Sequence, residues 1–272
     1  MAMKKFVIFV MIFTLILATG CVNSSQDLTQ NNTPSIDEII GENTTPETPP
    51  IIIPPLDEEE EEQKKKYLIS TTNSLRIRSG AGDSYSVVGY LDKNDGLVYQ
   101  GKVGNYYKTT FKEKTAYVHS SYINVIEVET GSEQTEKAID FGMKLMGYPY
   151  VWGAQRYHWG NGKLNTNFKN GEFDCSALVQ YVYYKSNSVI LDVTSRAQSL
   201  NGVLVDKSDL RRGDLMFFTN SSRKDMVGIE RIGHVGIYFG NNYILHTASD
   251  HAVLEPISSL RWSYYVCARR VV

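Results

Sequence analysis

Gly233-His234-Val235-Gly236-Ile237-Tyr238-Phe239-Gly240-Asn241-Asn242-Tyr243-Ile244-Leu245-His246 is the stretch that decides the fold. Alternation puts His234 on the face opposite Val235 and Ile237, as a half-buried strand requires. Gly240-Asn241-Asn242 is a turn sequence, so the stretch reads as a hairpin centred near Gly240. In that hairpin His234 and His246 are cross-strand partners or close to it. Further strands read at Val203–Val205, Leu215–Phe218 and Tyr265–Arg269. Two helical patterns precede them. Glu133–Leu145 places Ala138, Phe141, Gly142 and Leu145 on one face, with Ser132 as its cap, and Ser176–Tyr184 carries Leu178, Val179, Val182 and Tyr183. Helices first and an antiparallel sheet afterwards predict an α+β domain over 132–272.

Phe173-Asp174-Cys175-Ser176-Ala177-Leu178-Val179 sets Cys175 at the first turn of the second helix, capped by Asp174 or a neighbour. A helix N-terminus favours an anion, so the position is expected to lower the thiol pKa. A thiolate nucleophile needs a base, and a base histidine needs a third group on its other ring nitrogen. Cys175, His234 and His246 can supply all three. Other readings stay open on these residues alone. Cys175 can be a buried structural thiol, or can pair with Cys267 in a disulfide. One Cys and two His can also bind zinc, although the paired local spacing of structural zinc sites is missing.

Working towards the N-terminus, residues 67–128 read as short strands between Gly, Asp and Asn turns. They are Leu75–Gly80, Val87–Leu91, Gly96–Tyr99, Tyr106–Thr109 and Thr115–Val118. Five strands in so short a span predict a small all-β barrel. Residues 22–66 hold Pro49-Pro50, Pro54-Pro55, Glu58 to Glu62 and Lys64 to Lys66, a composition that reads as a disordered tether. Residues 1–21 read as an export signal, with Lys4-Lys5 before the apolar run Phe6 to Leu17. Ala18-Thr19-Gly20-Cys21 resembles the lipobox of bacterial lipoproteins, with Ala18 where Leu is usual. That resemblance implies lipidation of Cys21 and a membrane anchor on an exported cell-envelope protein. The net charge of −2 on 272 residues gives no basic surface for nucleic acid.

Four motifs occur in order: Pro149-Tyr150-Val151-Trp152-Gly153, the Cys175 segment, Leu210-Arg211-Arg212-Gly213-Asp214-Leu215-Met216-Phe217-Phe218, and Gly233-His234-Val235-Gly236-Ile237-Tyr238. Together they resemble the NlpC-type cell-wall cysteine peptidases, a papain-like α+β family, from about Glu133 to the C-terminus. Arg76-Ile77-Arg78-Ser79-Gly80 and Tyr117-Val118-His119-Ser120-Ser121-Tyr122 resemble bacterial SH3-like domains. The resemblance implies Cys175 as nucleophile, His234 as general base and then acid, and His246 as the group orienting it. It implies substrate contacts at Tyr150, Asp174, Ser176, Ser195 and Arg196, with Asp174 suited to a free amino group and Arg196 to a carboxylate. The implied reaction is hydrolysis of the γ-D-glutamyl–diamino acid amide in peptidoglycan stem peptides, by a monomer, with no cofactor or metal.

Departures from the family pattern concern the cleft. Ala154 stands where a second Gly is usual, and Ala177 where Gly is usual. Polar insertions follow Trp152, up to Phe173, and run from Asn220 to Arg231. Loops at those places set specificity. His119, His158 and His251 are expected on the surface without a catalytic role, and Cys267 is expected buried. Two other functional classes fit the same residues: an inactive domain that binds the wall, and a thiol amidase or acyltransferase.

Overall fold

The structure is a computed structural model describing residues 63–272 apart from Ser249. The export signal with Cys21, and nearly all of the tether, lie outside the described residues. The N-terminal part is all-β: β1 (Lys64–Ser70), β2 (Leu75–Arg78), β3 (Val87–Leu91), β4 (Gly96–Val98), β5 (Lys102–Val103), β6 (Tyr106–Phe111), β7 (Lys114–His119) and β8 (Ile123–Glu129). The second part is α1 (Glu133–Lys144), α2 (Cys175–Asn187), α3 (Ser195–Gln198), β9 (Val203–Val205), β10 (Leu215–Phe218), β11 (His234–Gly240), β12 (Tyr243–Ala248), β13 (His251–Pro256), α4 (Ser259–Ser263) and β14 (Tyr265–Arg270). Its six strands form one antiparallel sheet in the order β13-β12-β11-β10-β14-β9. The α+β class with an all-β region before it is as the sequence predicts.

Two expectations for the N-terminal part need correction. It holds eight strands rather than five, in sheets ordered β4-β1-β8 and β3-β2-β7-β6-β5. The strand β1 also begins at Lys64, inside the stretch whose charge reads as tether. The physical reason is tertiary. Lys65 pairs with Glu129's neighbour Val128 across the ladder, and its ammonium meets Glu136 at 3.1 Å and Asp140 at 2.8 Å on α1.

Local chemistry explains where the helices begin. Ser132 Oγ accepts the backbone N–H of Thr135 at 3.1 Å, and Glu133 and Glu136 lie in the first turn of α1. Asp174 Oδ1 accepts the N–H of Ala177 at 2.8 Å and starts α2 at Cys175. The α1 helix lies so close to β12 that a Cβ on Gly142 would sit 2.9 Å from Leu245 Cδ1.

The β-rich part and the α+β part share one apolar cluster, in which Tyr67, Leu97 and Phe111 join Met146, Phe239 and Leu254. The ring of Phe111 covers the turn at Gly147, whose φ is +87°, and a Cβ there would overlap it at 2.1 Å. Beside that ring the backbone N–H groups of Lys112 and Glu113 donate to Met146 O at 3.0 Å and Lys144 O at 2.8 Å. Arg212 is inserted at the same seam. It holds Glu136 at 2.6 Å and lies 4.2 Å from the Phe239 ring centroid.

Two burial expectations are also corrected. His158 is completely buried, not on the surface, because the Trp152–Phe173 insertion folds inward and rests its ring on Tyr184 at 4.9 Å. Cys267 is only partly buried, since β14 has the short strand β9 as its outer neighbour.

Candidate active site

Cys175 stands at the N-terminus of α2, and its sulfur is faced by the backbone N–H groups of Ser176 and Val235. Val235 directly follows His234, so the packing of α2 on β11 brings the thiol to the strand end that carries the histidine. Cys175 and Cys267 are both free thiols. Burial pushes the Cys175 thiol up to about 11, with the charge of Asp174 adding to it, against the two N–H groups and Arg156. The helix N-terminus acts in the opposite direction, towards the thiolate. Desolvation outweighs that effect, so the resting group is a thiol.

His234 and His246 meet directly: Nε2 of His234 lies 2.8 Å from Nδ1 of His246. They are diagonal neighbours, not opposed ones, because the register pairs Ile237 with Leu245 and Tyr238 with Ile244. Burial, then the neighbouring His246 and Arg261, holds His234 well below the usual imidazole range. Burial also lowers His246, against the pull of Glu255. Both rings are therefore neutral near pH 7.

Beside Cys175 a cavity of about 440 Å³ is lined by Tyr150, Trp152, Asp174, Ser176, Ser195 and Arg196, among others. All five residues that the sequence singled out for substrate thus border one cleft. Several have partners inside the protein. Asp174 accepts from Ala177 and from Ser176 Oγ at 3.1 Å, and its second oxygen meets Arg156 at 3.0 Å. Arg196 meets Glu230 at 3.6 Å, in the Asn220–Arg231 insertion. An incoming amine at Asp174 would compete with Arg156, and an incoming carboxylate at Arg196 with Glu230.

Arg156 is the cleft residue the sequence reading missed. Its guanidinium also donates to Ser176 Oγ at 3.0 Å and to the Val193 carbonyl. It lies in a Gly- and Asn-rich insertion without periodicity, and only its position after Trp152-Gly153 could have pointed to it. Trp152 is the other: it is 86% exposed at the rim, so a ligand finds an aromatic face there.

The NlpC/P60 family profile matches residues 147–271, and the bacterial SH3 domain profile matches residues 73–124. The chain is 31% identical over 150 residues to the peptidoglycan DL-endopeptidase CwlO of Bacillus licheniformis, covering 53% of this chain and 30% of that one. It is 34% identical over 119 residues to a γ-D-glutamyl-L-lysine dipeptidyl-peptidase of Bacillus cereus, covering 44% and 30%. It is 35% identical over 143 residues to the probable endopeptidase YafL of Escherichia coli, covering 51% and 50%. The match therefore spans half or less of the length of these relatives. A solved NlpC/P60 family protein from Bacillus cereus aligns with TM-score 0.41 at 22% identity, over 76% of this chain and 63% of that one. The chain thus carries an NlpC/P60 domain over residues 147–271, preceded by a bacterial SH3 domain at 73–124.

Proposed function

We propose that the protein is a cell-wall cysteine endopeptidase that hydrolyses the γ-D-glutamyl–diamino acid amide of peptidoglycan stem peptides. The observation that carries the reading is the 2.8 Å contact between His234 Nε2 and His246 Nδ1, on the strand whose Val235 N–H faces the Cys175 sulfur. The relatives named as a DL-endopeptidase and a γ-D-glutamyl-L-lysine dipeptidyl-peptidase support the choice of bond.

His234 Nδ1 takes the thiol proton as the sulfur attacks the amide carbon. The carbonyl electrons move onto oxygen, where the backbone N–H of Cys175 and the Tyr150 hydroxyl can donate. The C–N bond breaks as the imidazolium returns its proton to the leaving amine, which leaves a thioester. Water, deprotonated by His234, attacks the thioester carbon, the C–S bond breaks to release the carboxylic acid, and the sulfur takes its proton back from the His234 imidazolium. A resting thiol and a neutral imidazole suit this order, because the proton moves only when substrate is present.

The cleft supports a short polar peptide. Trp152 offers a stacking face, and Ser195 and Arg196 line the same cavity. The apolar seam with the SH3 domain holds the Gly147–Pro149 turn that leads into Tyr150. We further propose export and lipidation at Cys21, which would tether the enzyme to a membrane facing the wall. Purified stem peptides incubated with wild type and Cys175→Ala, read by mass spectrometry, test the reaction: wild type releases the diamino acid side and Cys175→Ala does not. Unchanged cleavage by Cys175→Ala sinks the nucleophile assignment. Loss of the protein from the membrane fraction in Cys21→Ser tests the anchor.

A further inference from the structure

Beyond the two histidines the polar chain continues. Nε2 of His246 lies 2.9 Å from Glu255 Oε1 on β13, and the same oxygen lies 3.3 Å from the Arg261 guanidinium on α4. The register explains the line. His246 pairs with Val253 and Ile244 with Glu255, so Glu255 is diagonal to His246 on one side as His234 is on the other. His246 is completely shielded by these neighbours. Each of its ring nitrogens has one partner, in opposite directions.

The protons can then be counted. A carboxylate only accepts, so Nε2 of His246 must carry the N–H. A neutral imidazole has one N–H, so Nδ1 of His246 is a lone pair. That lone pair faces Nε2 of His234, which must therefore be its N–H. The remaining nitrogen of His234, Nδ1, is left unprotonated. Burial raises Glu255, but the hydrogen bond from His246 and the charge of Arg261 overcome it and hold the carboxyl below its usual range. The acceptor is thus ionised through the neutral range.

We propose that Glu255 is a positioning residue which, acting through His246, fixes the tautomers of both imidazoles so that Nδ1 of His234 is the free base. This rests on the reading that Cys175 and His234 do the chemistry. Once His234 is protonated, Glu255 also supplies the negative charge that stabilises the imidazolium through the His246 bridge. The charged and titratable groups facing the pair are Glu255 from β13 and Arg261 from α4. Asp95 of the β-rich part acts on Glu255 from further away.

Two readouts test it in the full chain. Imidazole ¹⁵N shifts, recorded on Cys175→Ala so that turnover plays no part, are expected to show Nε2–H on both His234 and His246. In Glu255→Leu they are expected to show mixed tautomers. Nδ1–H on His246 in the presence of Glu255 overturns the proposal. In kinetics, Glu255→Leu is expected to lower kcat by about 10- to 100-fold with KM nearly unchanged. Glu255→Gln keeps an oxygen acceptor without the charge and should lose less. In both, the acid limb of kcat/KM moves to lower pH, because a negative charge that favours imidazolium is gone. A purely structural role would lower activity without moving that limb, and a wild-type pH profile in Glu255→Gln overturns the proposal even if Glu255→Leu fails to fold. Persistent cleavage by Cys175→Ala would instead strike the nucleophile reading, while the tautomer spectrum still decides the role of Glu255.

Discussion

Gly236 faces His246 across the β11–β12 ladder, and its missing side chain is the space through which His246 leans to reach His234. A Cβ at Gly236 would lie 2.9 Å from Cβ of His246 and 2.6 Å from Cδ1 of Ile244. Gly236→Ala is therefore expected to push His246 off its diagonal. Activity should fall at least tenfold in kcat, and overpacking should cost about 1–3 kcal/mol of stability. Urea unfolding beside steady-state kinetics checks both. Wild-type kcat in the alanine variant would show that the ring does not use that space.

Among the described residues, Arg156 is the only cation paired with the buried Asp174 carboxylate, with side-chain exposures of 16% and 10%. Arg156→Met leaves an uncompensated charge at the cap of α2, expected to cost about 3–5 kcal/mol. Adding Asp174→Asn removes that charge and should recover much of the loss, which a double-mutant cycle by chemical unfolding measures. Both variants should lose activity, since the same network holds the helix turn beneath Cys175. Strict additivity would show that the pair is not coupled.

The raised thiol and lowered imidazole set a pH profile. With the Cys175 thiol near 11, iodoacetamide should label it slowly at pH 7 and faster as pH rises. With His234 held below the ordinary imidazole range, kcat/KM should rise through an acid limb below about 6.5 and stay flat above it. Rapid, pH-independent alkylation between pH 5 and 8 would indicate a resting thiolate instead.

Asp95 gives a stability test at the seam. Burial, with Asp92 and Glu255 adding, raises its carboxyl from 3.8 to about 6. A raised acid binds its proton more tightly in the folded state. Its contribution is full below the unfolded value near 4 and is lost as pH climbs through about 6. Asp95→Asn is thus expected to match wild type at pH 4 and exceed it by on the order of 2 kcal/mol at pH 7.5, judged by thermal melts. An equal difference at both pH values would remove Asp95 as the cause.

The parts of the site legible in the sequence were those written in local chemistry. Asp174 before Cys175 is a cap with a mechanism, and Gly240-Asn241-Asn242 between two alternating runs is a turn with one. The exact diagonal of His234 on His246 was not legible, because a register shift between Tyr238 and Gly240 changes the pairing near the turn. Glu255 is not legible either, since His251–Pro256 carries no polar–apolar alternation that would place its side chain beside His246. Arg156 and the burial of His158 depend on how an aperiodic insertion folds back on α2. The Lys64–Lys66 run looks like solvated linker until Glu136 and Asp140, some seventy residues later, supply its partners.

The ring of Phe111 over Gly147 changes what the division near residue 130 means. It is a border in chain order but not in cooperativity, since the same apolar cluster runs through it. Cutting the chain there would turn Phe111 on one fragment, and the Gly147 turn and Leu254 on the other, into new greasy surface. Grafting the SH3 domain onto a foreign enzyme would likewise require carrying the Gly147 turn and its Met146 flank along. The hydrolase-like half is thus a component with a built-in bearing, and its cleft is held true by a neighbour that never touches the thiol.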